Sequence, residues 1–243
     1  MTPTPELSLV FPVFDEEDNI AAVLRQALEL APRLATHFEI VVVDDGSRDR
    51  SVAIVEAWRE REPRIRLLRH AANRGYGAAL RAGLRGARGE LVFFSDADLQ
   101  FDLDELGELL AHARAFDIVA GYRMPRRDPW GRRLLAFGWG AVVNQIFDLR
   151  VRDIDCAFKL FRRHVLESIP IASVGACVNT EILVRARQAG FRIHQIPVGH
   201  ARRRRGRQSG ARPSVILRAL FELAVLYRDL RRPIRAPALA DEG

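Results

Sequence analysis

At 243 residues, 48% of them hydrophobic, the chain can bury one substantial core with at most an appendage. Ordinary aromatic, proline and glycine contents exclude global disorder, and two cysteines, Cys156 and Cys177, are too few for a disulfide framework or a zinc site. The net charge of +7 rests almost wholly on arginine, since Lys159 is the only lysine; a GC-rich coding genome accounts for the total, and phosphate chemistry for the cluster Arg202–Arg205.

Met1–Glu6 lacks the basic-then-apolar layout of a signal peptide. No run reaches the roughly 18 apolar residues of a membrane span, so any membrane contact is expected to be peripheral. Leu7–Val13 then predicts a buried strand, and Asp15–Leu30, with Ile20, Val23, Leu24, Ala27 and Leu28 at helical spacing, predicts a helix. Glu39–Val43 predicts a second strand, Ser51–Arg61 a helix with Val52, Val55 and Trp58 on one side, and Ile65–Arg69 a third strand. Tyr76–Ala87 predicts a helix that turns Ala79, Leu80, Gly83 and Leu84 inward. Leu91–Ser95 is a fourth strand, Asp102–Ala115 a helix and Asp117–Gly121 a fifth strand. Such alternation implies right-handed crossovers, hence an α/β fold with a mainly parallel sheet covered on both faces. Ligands on such sheets sit at the carboxyl ends of strands.

Beyond Pro125 the pattern changes. Asp128–Phe147 mixes Trp130, Phe137, Trp139 and Val142 with nearby Arg126, Arg127, Arg132 and Arg133. Glu181–Ala189 predicts a short helix, Phe191–Val198 a strand and Ala201–Ala211 a basic loop. Pro213–Arg232 predicts a last helix with a polar stripe at Ser214, Arg218 and Glu222, followed by a frayed tail from Ala236. The expected organisation is one catalytic unit over 1–211, including the helical segment 128–147, and an appended amphipathic helix with its tail over 212–243.

Chemistry concentrates in Ser95-Asp96-Ala97-Asp98-Leu99-Gln100, directly after the fourth strand. Two carboxylates one residue apart can both approach a hard divalent cation, leaving positions for diphosphate oxygens, and Gln100 adds a neutral oxygen. The same residues can also cap the helix that begins near Asp102. Context separates the two readings. The first strand ends in Phe11-Pro12-Val13-Phe14-Asp15-Glu16 and the second in Val43-Asp44-Asp45-Gly46-Ser47. Acids at three strand ends of one sheet repel unless something binds there, and a nucleotide fits, with Phe14 beside a base.

Together with Asn73-Arg74-Gly75, these segments resemble glycosyltransferase family 2, and within it the dolichol-phosphate mannosyltransferase and polyprenyl-phosphate glycosyltransferase group, from about Leu7 to Ser209. The resemblance implies a GT-A (Rossmann-like) fold and an inverting reaction on a GDP- or UDP-sugar. It implies that Pro12, Phe14, Glu16, Val43 and Asp45 hold the nucleoside and that Asp96, Ala97 and Asp98 line the donor site. Asp96, Asp98 and Gln100 would hold Mg²⁺ or Mn²⁺. Phe14 stands where the family usually has tyrosine, which keeps the stack and loses a hydroxyl contact.

Gly121-Tyr122-Arg123 resembles the family's Gly-Ser-Arg, which makes Arg123 a phosphate or acceptor contact. Asp153-Ile154-Asp155-Cys156-Ala157-Phe158-Lys159 resembles Asp-x-x-Ser-Gly-Phe-Arg, with Asp153 as the acid near the acceptor and with Cys156 and Ala157 replacing serine and glycine. Arg203 and Gly206 match the family's tail after Pro197, while Ser209 departs by one position.

Breaking the anomeric bond releases a nucleoside diphosphate, whose charge the metal and Arg203 would offset. A polyprenyl-phosphate acceptor is already anionic and needs Asp153 only to position it. A sugar hydroxyl, the alternative acceptor, needs an acid such as Asp153 to take its proton. Asp128–Phe147 and Pro213–Arg232 are expected either to lie on an anionic membrane or to pack on the catalytic domain or a second subunit, as in a homo-oligomer. The group resemblance places such an enzyme in the cytoplasm, peripheral on the inner face of the cytoplasmic membrane. Among the histidines only His200, beside the basic loop, is a phosphate-contact candidate. A dinucleotide-dependent oxidoreductase is excluded because Pro12–Asp18 contains no glycine. A non-catalytic basic binder has no use for acids at three strand ends, and the chain lacks the aromatic–basic interleaving of RNA readers, so no nucleic-acid partner is expected.

Overall fold

The computed structural model describes residues 4–124, 130–203 and 213–230. Arg126, Arg127, Arg204, Arg205, Gly206, Ser209 and the tail from Ala236 lie outside the described residues. The first half runs β1 (Leu7–Val13), α1 (Ile20–Leu34), β2 (Phe38–Asp44), α2 (Ser51–Arg59), β3 (Ile65–Arg69), α3 (Tyr76–Gly86) and β4 (Leu91–Ser95). It continues with a 3-10 turn at Leu103–Glu105, then α4 (Leu106–His112), β5 (Ile118–Arg123) and α5 (Trp130–Phe147). The remainder is β6 (Phe158–Arg162), α6 (Arg163–Ser168), α7 (Val178–Gln188), β7 (Ile193–Val198) and α8 (Pro213–Leu230).

The strands form one sheet in the order β3-β2-β1-β4-β6-β5-β7. Every residue of β1 and β2 is buried, as expected of central strands covered on both faces. Leu9, Phe11 and Val13 point to one layer with Ile20, Leu24, Ala27, Val55, Leu106 and Leu109 from α1, α2 and α4. Val10, Val41 and Val43 point to the other, against Ala79, Leu80 and Leu84 of α3 and the buried faces of α6 and α7. The period-2 alternation of strand side chains produces the two cores.

Two differences from the sequence reading bear on function. The helix expected from Asp15 starts at Ile20, because residues 15–17 bond instead to the turn after β2. The stretch Phe158–Arg162, read only as part of a motif, is a strand antiparallel to both β4 and β5. Its direction has a consequence: the start of β6, with Ser95 paired to Phe158, lies at the edge where the parallel strands end. Residues 153–157 are thereby delivered to the ligand-binding edge of the sheet.

Candidate active site

The loops after β1 and β2 interlock. Asp15 N donates to Ser47 Oγ at 3.0 Å, Arg48 N to Asp15 Oδ1 at 2.8 Å, Glu16 N to Ser51 Oγ at 2.9 Å and Glu17 N to Asp49 Oδ2 at 2.9 Å. Asp15 takes a left-handed φ of 54° and Leu99, just beyond Asp98, one of 59°. Non-glycine residues in that region carry strain that tends to collect at functional sites.

Asp45 is buried and its carboxylate is already engaged: Oδ1 accepts from Arg74 N at 2.9 Å, Oδ2 from Gly75 N at 2.8 Å, and His70 Nδ1 lies 2.6 Å from Oδ1. It ties residues 70–75 to the end of β2. Gly46, at φ 75°, lets that loop approach, since a Cβ there would sit 2.6 Å from the main chain of Ala72 and Asn73. A cavity of about 580 Å³, within the range of small-molecule sites, opens beside it between Asp44, Ser47, Arg48, His70 and Asn73. Phe14 stands 41% exposed at the end of β1, open to stack on a ligand. Pro12 and Val43 are paired in register and buried, so neither presents a side chain to a nucleoside, and Val43 lies in the core against α3.

Asp96 and Asp98 follow β4, flanking buried Ala97. Burial first, and then the charge of Asp98, push the Asp96 carboxyl up to about 7, while Tyr76, Arg123 and Lys159 act in the opposite sense. The Tyr76 hydroxyl is buried with no well-formed hydrogen bond, beside Asp96 and Asn179, and burial drives its acidity well below that of an ordinary phenol. Two carboxylates that repel each other across Ala97, one of them pushed toward its neutral form by burial, suit a hard divalent ion. No cluster of three or more His, Cys, Asp or Glu ligands exists among the described residues. Magnesium commonly takes one or two carboxylates and completes its shell with substrate phosphates and water, so the pair suffices. Gln100, the third expected ligand, spends its amide Nε2 on the carbonyl of Ala201 at 2.9 Å, and its main-chain N donates to Asp98 Oδ1 at 3.2 Å.

That Gln100–Ala201 link roots the basic segment. Arg203 pairs through Nη2 with Glu16 and approaches Asp98 Oδ2 through Nη1 at 3.7 Å, joining the ends of β1 and β4. Burial raises the Glu16 carboxyl above its ordinary range, against the lowering pull of Asn19, whose amide donates at 2.7 Å, and of Arg203. On the other side Arg123 Nε and Nη2 hold Asp153 Oδ2 and Oδ1 at 2.7 and 2.8 Å. Asp155, two residues on, is exposed. His200 is buried at 6% exposure with its ring 5.3 Å from Phe101, which places it in the core rather than among phosphate contacts.

The structure thus gathers Glu16, Asp96, Asp98, Gln100 and Arg203 at one edge, with Arg123 and Asp153 adjoining, while Phe14 stands exposed after β1 and Asp45 holds the loop that walls the neighbouring cavity. Sequence reasoning missed Tyr76 and Asn179 beside Asp96, and quoted Lys159 only as the last residue of the segment that begins at Asp153. Only Lys159 left a signal, as a lone charge inside the apolar run Phe158–Phe161.

The model of glycosyl transferase family 2 matches residues 8–169. A protein of Pseudomonas paraeruginosa named undecaprenyl-phosphate 4-deoxy-4-formamido-L-arabinose transferase is 33% identical over 246 positions, covering 99% of this chain and 70% of that protein. One of the same name from Edwardsiella ictaluri is 31% identical, covering 82% and 61%. Among solved structures, glucosyl-3-phosphoglycerate synthase of Mycobacterium tuberculosis with UDP is similar at TM-score 0.71 and 21% identity, covering 92% of this chain and 80% of that one. The same enzyme with Mn²⁺, UDP and glucosyl-3-phosphoglycerate gives TM-score 0.64 at 22% identity, covering 92% and 76%. These structural likenesses show the fold, and the match across two thirds of the sequence shows the lineage: the chain belongs to glycosyltransferase family 2.

Proposed function

We propose that this chain moves a sugar, with inversion, from a UDP-sugar to a polyprenyl phosphate at a membrane surface, using Mg²⁺ or Mn²⁺. The observation that carries the reading is the Asp96–Asp98 pair at the end of β4, faced by Arg203 and within the field of Arg123. UDP is favoured over GDP by the UDP complexes of the structural neighbours, and the lipid phosphate by the names of the sequence relatives.

A divalent cation held by Asp96 and Asp98 would supply positive charge to the leaving diphosphate. Arg203, now shared between Glu16 and Asp98, is placed to turn toward the same oxygens, where its planar fork binds two at once. Phe14 would stack on the base. Asp153 is held on the Arg123 guanidinium through both its oxygens, which suits it to positioning an acceptor. That geometry suits an acceptor that arrives already anionic and disfavours a sugar hydroxyl, which must lose a proton.

Access to a lipid has a physical basis in α5 and α8. Phe137 and Phe221 are 74% and 70% exposed, joined by exposed Val142 and Ile146, and Phe147 meets Tyr227 edge-on at 6.1 Å. Glu222, from the expected polar stripe of α8, turns inward instead and accepts from Cys177 N at 3.3 Å. Apolar rings outward and a carboxylate inward suit a helix lying on lipid. Among the described residues no helix is long and apolar enough to cross a membrane. Peripheral attachment on the cytoplasmic face follows from where nucleotide-sugars are available.

The test is a thermal-shift panel of UDP, GDP and their sugars with and without Mn²⁺, followed by transfer to undecaprenyl phosphate in micelles. UDP with Mn²⁺ should stabilise most and label should enter the lipid. Stabilisation by GDP alone, or release of free phosphate in place of lipid labelling, would sink the reading.

A further inference from the structure

β6 carries a charge where its pattern calls for an apolar residue. Phe158, Leu160 and Phe161 are buried, and Lys159 between them is only 1% exposed, in register with Phe94 on β4 and Ala120 on β5. A buried ammonium is costly, and packing alone would be met by an apolar chain of the same length. Its Nζ instead makes three bonds: to the carbonyl of Ile154 at 3.0 Å, to the carbonyl of Cys156, and to Asn179 Oδ1 at 3.2 Å. Two of these acceptors are main-chain atoms of the turn that follows Asp153 and contains exposed Asp155. The third anchors that turn to the first residues of α7.

We propose that Lys159 is a positioning residue for the acceptor side of the reaction, its ammonium clamping the Asp153–Cys156 turn against α7. The clamp explains how a segment entering an antiparallel strand keeps Asp153 squarely on Arg123 while Asp155 stays at the surface. Without it, two carbonyls and the Asn179 amide would be left buried and unpaired, and the turn would rearrange to reach water. The inference rests on the reading of a polyprenyl-phosphate acceptor given above. The Lys159 charge also acts on Asp96, but the nucleoside contacts on β1 and β2 lie on other segments, so binding of UDP without metal should separate from binding of the acceptor.

The experiment compares wild type, Lys159→Met and Asn179→Leu, each as the full chain, for binding of UDP with and without Mn²⁺ and of farnesyl phosphate as a soluble acceptor probe. Lys159→Met should lose about tenfold or more in farnesyl-phosphate affinity and keep metal-free UDP affinity within about twofold, the scales of one lost and no lost contact. Asn179→Leu removes one anchor only and should show the same split in smaller measure, which tests the clamp should Lys159→Met not fold. Equal losses for both ligands, or a lowered melting temperature with both affinities intact, would reduce Lys159 to a structural residue. A wild-type protein that binds UDP–Mn²⁺ but no farnesyl phosphate would instead remove the acceptor reading itself.

Discussion

Arg123 and Asp153 meet in a bidentate ion pair whose two side chains are 7% and 8% exposed, joining the end of β5 to the turn before β6. Removing one partner strands a buried charge, so Arg123→Ala should lower stability by about 3–5 kcal/mol, whereas replacing both with apolar residues, Arg123→Met with Asp153→Leu, should recover most of it. Urea denaturation checks this. A single variant as stable as wild type would mean that water already reaches the pair.

Asp96→Asn and Asp98→Asn remove charge from the proposed cation site without changing shape. Both should leave the far-ultraviolet spectrum unchanged and cut sugar transfer by about a thousandfold, the scale of losing a principal electrostatic stabiliser. Chelation of the wild type should do the same, reversibly. Near-normal turnover in either variant would remove the metal assignment.

The Asp96 carboxyl stands at about 7 instead of an ordinary 3.8, burial being the larger cause. A folded-state value above the unfolded one means that this group favours folding fully below pH about 4 and that the contribution is lost as pH rises through about 7. The metal-free wild type should therefore lose melting temperature toward alkaline pH relative to Asp96→Asn. Cation binding must displace that proton, so Mn²⁺ affinity should rise by up to about tenfold per pH unit and level off above about 7. A flat profile would show Asp96 ionised throughout.

Gly77 lies against the main chain of residues 174 and 175: a Cβ would come 2.6 Å from the Gly175 carbonyl oxygen and 2.7 Å from Val174 C. A Cβ at Gly175 would instead meet the end of the Glu222 side chain, with no main-chain atom as near. Gly77→Ala should cost about 1–3 kcal/mol and weaken nucleotide binding, because α3 carries Tyr76 and follows the Arg74–Gly75 amides that Asp45 holds. Gly175→Ala should cost less. Paired melting curves with and without UDP decide the order.

Phe137→Glu with Phe221→Glu places charge on the exposed apolar face of α5 and α8. Sedimentation with vesicles containing anionic lipid should fall at least about tenfold, in keeping with the area of two aromatic rings. UDP–Mn²⁺ binding should not change. A shift from dimer to monomer in light scattering, with vesicle binding intact, would assign that face to a second copy of the chain.

Much of this was legible in the residues. Six strands of the sheet, the crossover helices between the first five and the acidic segments at three strand ends follow from local periodicity and from the rule that α/β sheets bind ligands at their carboxyl edge. The paired acids after β4 announced themselves because Asp-Ala-Asp is a local pattern. Less was visible where partners are distant in sequence. Nothing local shows that Asp45 spends its carboxylate on the Arg74 and Gly75 amides, that Val43 turns into the core, or that Glu222 points inward.

The sequence by itself determined which strands are buried, where turns break them and which edge collects negative charge, since each depends on neighbours a few residues away. Only the tertiary structure decided that β6 runs antiparallel between β4 and β5, that Arg203 reaches Glu16 and Asp98, and that Lys159 is buried against the Ile154 and Cys156 carbonyls and Asn179. Those outcomes depend on strand pairing and on the desolvation of charges brought together across long loops. A linear pattern does not encode such energies until the chain has closed on itself.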